Sequence, residues 1–248
     1  MGLYYHDRYW ITKGLLGEIK NFVYSLFQVR RKKWVSSILP SGNVLDVGSG
    51  EGNFAKLLKN KYKVTNLDAS FSELENPSVI RKDFTKWKTN KKFDAVVFWE
   101  SLEHVESSRE YLKKANKILK YGGHIFIECP QYNSIEAKLF GKYWFHLDLP
   151  RHLSHLTKKG LFNLLTDQNF KVIRFQNVFA PEYVVWGCIA SFLSLFSINI
   201  TDSVKKGNFL IFFLVLPLTI ISLITEIIFL FLYNSPIMLV VAQKRYEA

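Results

Sequence analysis

The stretch "NVLDVGSGEGNFA", residues 43–55, runs from apolar residues straight into Gly48, Gly50 and Gly52 and leaves again through helix-forming residues. An apolar strand that enters a glycine turn and exits as a helix is the first half of a strand-helix-strand crossover, the connection that parallel strands require. Glycine permits a close approach of backbone to ligand, and the helix N-terminus points its amides at whatever is bound there. The run commits the chain to an α/β sheet with a ligand site at the C-terminal edge of its first strand.

The remaining pattern agrees. Strands are expected at 43–48, 63–68, 93–99, 123–129 and 170–175, with helices at about 52–60, 107–120 and 157–168. Their runs of Val, Ile and Phe have few polar interruptions, as in strands buried on both faces of a parallel sheet. "SPIMLVVAQKR", 235–245, reads as a last strand returning to that sheet. A chain of 248 residues holds one such core and an appendage.

The loop excludes two common ligands. A phosphate loop needs GxxxxGK[ST], but "NFAKLLK" follows Gly52; a dinucleotide fingerprint needs glycine where Asn53 stands. Asp46 would repel a phosphate and favour a cation. S-adenosylmethionine (SAM), with a sulfonium and an amino group, fits. Asp68, ending the second strand, can accept both ribose hydroxyl protons, and "RKDF" offers Asp83 for an adenine amino hydrogen with Phe84 to stack. Ser49 in the glycine loop and Glu100 after the fourth strand complete the candidate cofactor set.

These residues, with the run "FDAVVFWESLEHV", resemble the class I SAM-dependent methyltransferases over roughly residues 40–178 and the terminal strand. The resemblance implies a doubly wound, seven-stranded sheet of order 3-2-1-4-5-7-6 whose last strand is antiparallel. Glu100, Glu103 and His104 are similar to the ExxEH stretch of the ubiquinone-pathway O-methyltransferases, where the matching residues are associated with a divalent metal such as Mg²⁺. Metal is the minor reading here; His104 as general base or pocket wall is the main one. "KYWFHLDLPRHLSHLT", 142–157, gathers His146, Asp148, Arg151, His152 and His155. It resembles a segment that lies over the acceptor site in a subgroup of these enzymes, making His152 and His155 further catalytic candidates, with capping or metal binding as alternatives. Where amino-methylating enzymes carry an NPPY-like motif this chain reads "WESLEH", so oxygen is the expected acceptor atom.

The last quarter changes character. Residues 183–201 and 207–225 hold no charge, and each would reach about 28 Å as helix, close to a hydrocarbon core. If the terminal strand returns to the sheet, both ends of this segment lie on one side of a membrane, as two spans or as a monotopic hairpin. Pro217 and Glu226 favour the hairpin slightly. A buried subdomain or homodimer interface is the alternative. Before the sheet, Leu15, Ile19, Phe22, Leu26 and Val29 make an amphipathic helix closed by Arg30–Lys33, suited to the sheet edge or to anionic headgroups. The expected organisation is 1–40 helical, 41–179 plus 235–248 SAM-binding, and 180–234 hydrophobic hairpin.

With 33 Lys and Arg against 21 Asp and Glu, the chain suits either nucleic acid or an anionic membrane, but no nucleic-acid module is visible. Two separated cysteines and no signal-peptide pattern point to a cytoplasmic catalytic domain held at a membrane. The leading expectation is methylation of a lipid, quinone or lipid-linked glycan. A soluble or dimeric RNA or small-molecule methyltransferase, and a non-catalytic membrane-bound assembly protein of the same fold, are the alternatives.

Overall fold

The computed structural model describes residue 25 and residues 28–58, 60–70, 76–178, 181–198, 210–232 and 234–246. Seven strands form one sheet: β1 (Gly42–Val47), β2 (Tyr62–Asp68), β3 (Val79–Arg81), β4 (Phe93–Trp99), β5 (Leu119–Pro130), β6 (Phe170–Asn177) and β7 (Ile237–Lys244). Their spatial order is β3-β2-β1-β4-β5-β7-β6. The first five run parallel, and β7 lies antiparallel between β5 and β6. This is the expected fold, including the return of the terminal strand.

Both faces of the sheet are covered, which explains the unbroken apolar runs. On one face Leu45, Val96, Phe98 and Ile127 pack with Leu112 and Ala115 of α3 (Ser108–Ile118) and Leu161 and Leu165 of α5 (Lys158–Asp167). On the other, Val44, Val97, Phe126 and Val241 pack with Trp34 and Val35 of α1 (28–36) and Phe54 of α2 (Asn53–Leu57). Ser107 and Thr157 cap α3 and α5 by accepting the Glu110 and Gly160 amides, which sets where these helices start.

Two expectations change. The apolar positions from Leu15 to Leu26 lie outside the described residues. Within α1 the basic cluster does not close the helix as expected: it sits mid-helix, and Arg31 turns inward to near-complete burial.

The second change concerns the membrane. Between β6 and β7 in chain order come α6 (Pro181–Ser194) and α7 (Leu210–Phe231), which pack on each other through Val185, Ile189, Ala190 and Leu193 against Leu218 and Leu223. Among the described residues no helix is long and apolar enough to cross a membrane. The two-span, transmembrane reading is therefore corrected. Glu226 supplies a physical reason, since it is buried within the protein and accepts a hydrogen bond from Ser235, two residues before β7. The last turns of α7 are thereby tied to the sheet. Glu136 of α4 (Ile135–Phe140) lies in the same region, accepting from the Trp144 indole. Burial first, and then Glu226, pushes its carboxyl up to about 8.

Candidate functional site

The strand ends place one row of polar side chains along the C-terminal edge of the sheet. After β1, Gly48, Gly50 and Gly52 all take positive φ, 78°, 56° and 72°. At Gly48 a side chain is excluded outright, because a Cβ would sit 2.4 Å from the Ser101 Cβ. At Gly50 the space is open, and its amide donates to Asp68 at 2.6 Å. Asp68 also accepts the Ser70 amide at 2.7 Å, so its first task is to brace the loop. Its oxygens keep lone pairs for ribose hydroxyls.

The cradle fits SAM on an observation of its own: the buried Asp46 Oδ1, Ser49 Oγ and Asn66 Oδ1 have no hydrogen-bond partner among the described residues. Asp46 is pushed up to about 7 by burial, with Arg31 opposing and Asp68 adding to the rise. A cation placed there would draw it back to carboxylate. Asn66 pairs across the sheet with Asp46, and its side chain abuts Gly52. The sequence reading missed it; its place two residues before Asp68 on β2 was the available signal.

The adenine-side pair behaves differently from expectation. Asp83 accepts from Thr85 Oγ1, from the Lys86 amide at 3.1 Å and from the Tyr111 hydroxyl at 3.2 Å. Burial pushes its carboxyl up, but these hydrogen bonds outweigh that and hold it below the usual range. Phe84 does not present a stacking face. It is 1% exposed, enclosed by Phe98 and Tyr111 with Lys114 over its ring, and belongs to the core.

After β4 the acids face one another. Glu100 adopts φ 51°, a left-handed conformation unfavourable to a residue with a Cβ. Glu100 and Glu103 adjoin, and no other described group hydrogen-bonds their carboxyl oxygens. Burial, followed by the neighbouring Glu103 and Glu128, raises Glu100 well above the usual carboxylate range. Glu128, near the end of β5, is compensated: Arg31 Nε and Nη2 reach its Oε1 at 2.8 and 2.5 Å, and Arg30 lies 3.7 Å from its Oε2. The Arg31 guanidinium also lies 5.3 Å from the Trp99 ring centroid. Arg31 is the second residue missed, because its partner is ninety-seven positions away in sequence.

The acceptor-side histidines come together in part. His104 Nδ1 lies 3.0 Å from the Arg151 carbonyl and His152 Nδ1 2.8 Å from the His146 carbonyl. A carbonyl only accepts, so each Nδ1 carries the proton and each neutral ring keeps its lone pair on Nε2. The two rings are 4.6 Å apart, His152 Nε2 lies 3.7 Å from Asp148 Oδ2, and burial lowers both basicities, leaving both rings neutral at neutral pH. His155 is not part of this pair: its Nε2 donates to the Leu147 carbonyl at 3.0 Å and its ring rests 5.1 Å from Tyr132, bracing the loop. Glu103, His104 and His152 each offer a ligand atom, all within 4.8 Å of one another. The possible metal triplet is thus not Glu100, Glu103 and His104. Two imidazoles and one carboxylate suit a transition metal better than Mg²⁺.

A protein-family comparison matches residues 26–174 to the family described as "Methyltransferase domain". The chain belongs to this family. The methyltransferase domain is of the SAM-dependent class, and the Archaeoglobus fulgidus SAM-dependent methyltransferase has its fold, with a TM-score of 0.55 at 16% identity over 89% of this chain and 94% of that one. Among curated relatives, the (S)-tetrahydroprotoberberine N-methyltransferase of Eschscholzia californica is 29% identical over 100 residues, covering 34% of this chain and 29% of its own. The mitochondrial ubiquinone biosynthesis O-methyltransferase of Dictyostelium discoideum is 31% identical over 109 residues, 34% of each. The chain spans about a third of the length of these relatives.

Proposed function

We propose that the protein transfers the methyl group of SAM to a hydroxyl of an apolar acceptor, a lipid, quinone or lipid-linked glycan met at the cytosolic membrane face. The supporting observation is the meeting of the His104 and His152 rings, each with Nδ1 on a backbone carbonyl, beside Glu103 on the sheet edge that carries the glycine loop. Bound SAM supplies an electrophilic methyl on a sulfonium. Asp46, Ser49 and Asn66 hold the cofactor end, Asp68 keeps the loop in place, and a neutral imidazole takes the hydroxyl proton as the acceptor attacks. The apolar acceptor is suggested by the surface around the loop, where Leu149 and Leu153 stand exposed, and by α7, whose Ile220, Ile221, Ile224, Ile227, Ile228 and Phe231 form one exposed, uncharged stripe.

A second reading is favoured by Glu100 and Glu103. Two adjoining buried acids, held chiefly by each other, would be satisfied by an ammonium, so an amine is the alternative acceptor. Radiolabelled SAM incubated with membranes and with a soluble extract decides between the sources, and mass-spectrometric fragmentation of the labelled product, methyl ether against N-methylamine, decides the atom. On the leading reading, His104→Ala and His152→Ala each lower transfer by roughly 10²-fold or more while SAM affinity by calorimetry is unchanged. Full activity in both variants would sink the assignment of a histidine base.

A further inference from the structure

We propose that α6 is a positioning element for the acceptor-side histidines, with Ser191 and Gly187 holding the turn Phe145–Leu147 from which His152 is fixed. The inference rests on reading His152 as facing the acceptor, but the contacts themselves stand independently. Ser191 is fully buried; its hydroxyl accepts the Phe145 amide at 2.8 Å and donates to the Gly187 carbonyl at 2.7 Å. Both directions of the hydroxyl are used, so it locks the start of the turn to one point on the helix.

One helical turn earlier, Gly187 leaves a notch that the buried His146 ring fills. A Cβ there would sit 2.6 Å from His146 Nε2 and 3.2 Å from its Cε1. Glycine inside a helix costs about 1 kcal/mol against alanine, and here its missing methyl is what lets the imidazole lie on the helix. Trp144 and Phe145 close on that ring edge-to-face at 5.5 and 5.2 Å. The His146 carbonyl then accepts His152 Nδ1–H, and the Leu147 carbonyl accepts His155 Nε2–H. A path of direct contacts therefore runs from α6 through His146 to the tautomer of His152, and from there to His104.

The arrangement assigns the segment between β6 and β7 a role in chemistry besides any in anchoring. A shift of α6 moves the turn, and a turn that moves no longer offers its carbonyl to His152. Misplacement of a reacting group by about 1 Å costs up to roughly a hundredfold in rate.

The test uses the full chain with ¹⁵N-labelled histidine. Long-range ¹⁵N–¹H correlation spectra, assigned with His152→Gln, report the His152 tautomer; SAM affinity is measured by calorimetry and transfer with radiolabelled SAM and membranes. Ser191→Ala removes both hydrogen bonds, and Gly187→Ala drives a methyl against His146. Ser194→Ala is the control, since the Ser194 hydroxyl bonds back to the Ala190 carbonyl of its own helix. Expected are an Nδ1–H tautomer in wild type and Ser194→Ala, and a mixed or shifted His152 signal with transfer down roughly ten- to a hundredfold in the other two, SAM affinity being retained. An unchanged His152 signal in Ser191→Ala, or an equal change in Ser194→Ala, overturns the proposal. A shifted signal with full transfer, together with a fully active His152→Gln, upholds the positioning contact and overturns the acceptor-side reading. Should Gly187→Ala lose SAM binding through misfolding, Ser191→Ala alone decides.

Discussion

Asp46 holds a proton in the ligand-free protein up to about pH 7, because burial outweighs the attraction of Arg31. A cationic ligand needs the carboxylate, so below that pH it must first expel the proton. SAM affinity is expected to weaken as pH falls below about 7, by up to roughly tenfold per unit, and Asp46→Asn should bind more weakly at neutral pH and lose that share of the slope. Calorimetry from pH 5.5 to 8, about the span over which Asp46 titrates, measures both. Asp46 and the glycines were legible because a strand end and its turn are local in sequence. Phe84 was misread for the opposite reason: whether a ring beside an acid faces ligand or core depends on Phe98 and Tyr111, which other elements bring.

Two helices owe their place to buried ion pairs or shared acids. For α1 the tie is Arg31 to Glu128, both nearly inaccessible to water. Arg31→Met strands a buried carboxylate and should cost about 3–5 kcal/mol in chemical denaturation, with Glu128→Gln in the same chain recovering a large part. For α7 the tie is Glu226 to Ser235, and burial raises Glu226 to about 7. Glu226→Gln keeps an acceptor for Ser235 and removes the cost of ionisation, so its melting temperature should match wild type below about pH 4.5, pull ahead as pH rises from there to about 7, and keep that lead at pH 8. The sequence showed where these helices run apolar, but an amphipathic pattern does not say that an arginine in the basic cluster points inward.

At the scale of the molecule these groups add up in one direction. Asp46, Glu136 and Glu226 have folded-state values of about 7, 8 and 7, all above their ordinary range. Raised acids give stability that is full below their ordinary values and is lost as pH climbs through the folded ones. His146, lowered to about 3 by burial and then His152, acts oppositely, but only below its ordinary value of 6.5. Between about pH 6.5 and 8 the acids act unopposed, and the melting temperature of the ligand-free chain should fall across that window. A flat or rising profile would show that the acids are ionised and compensated. The apolar stripe of α7 carries the remaining prediction: Ile220→Asp with Ile224→Asp and Ile228→Asp should abolish flotation with anionic vesicles if that face meets lipid, and leave it unchanged if it does not.

The sequence by itself determined most of the strands and the position of the cofactor loop, because strand runs, glycine turns and capping residues act over a few neighbours, while the order of the sheet was implied by the family resemblance that the loop carries. It also marked the acids and histidines as chemical. Only the tertiary structure decided which of them meet. His152 joins His104 while His155 turns away to a carbonyl, Arg31 crosses to Glu128, and Ser191 of α6 grips the turn behind His152. Each of these contacts joins residues from different segments, and its geometry is fixed by packing between elements rather than by spacing along the chain.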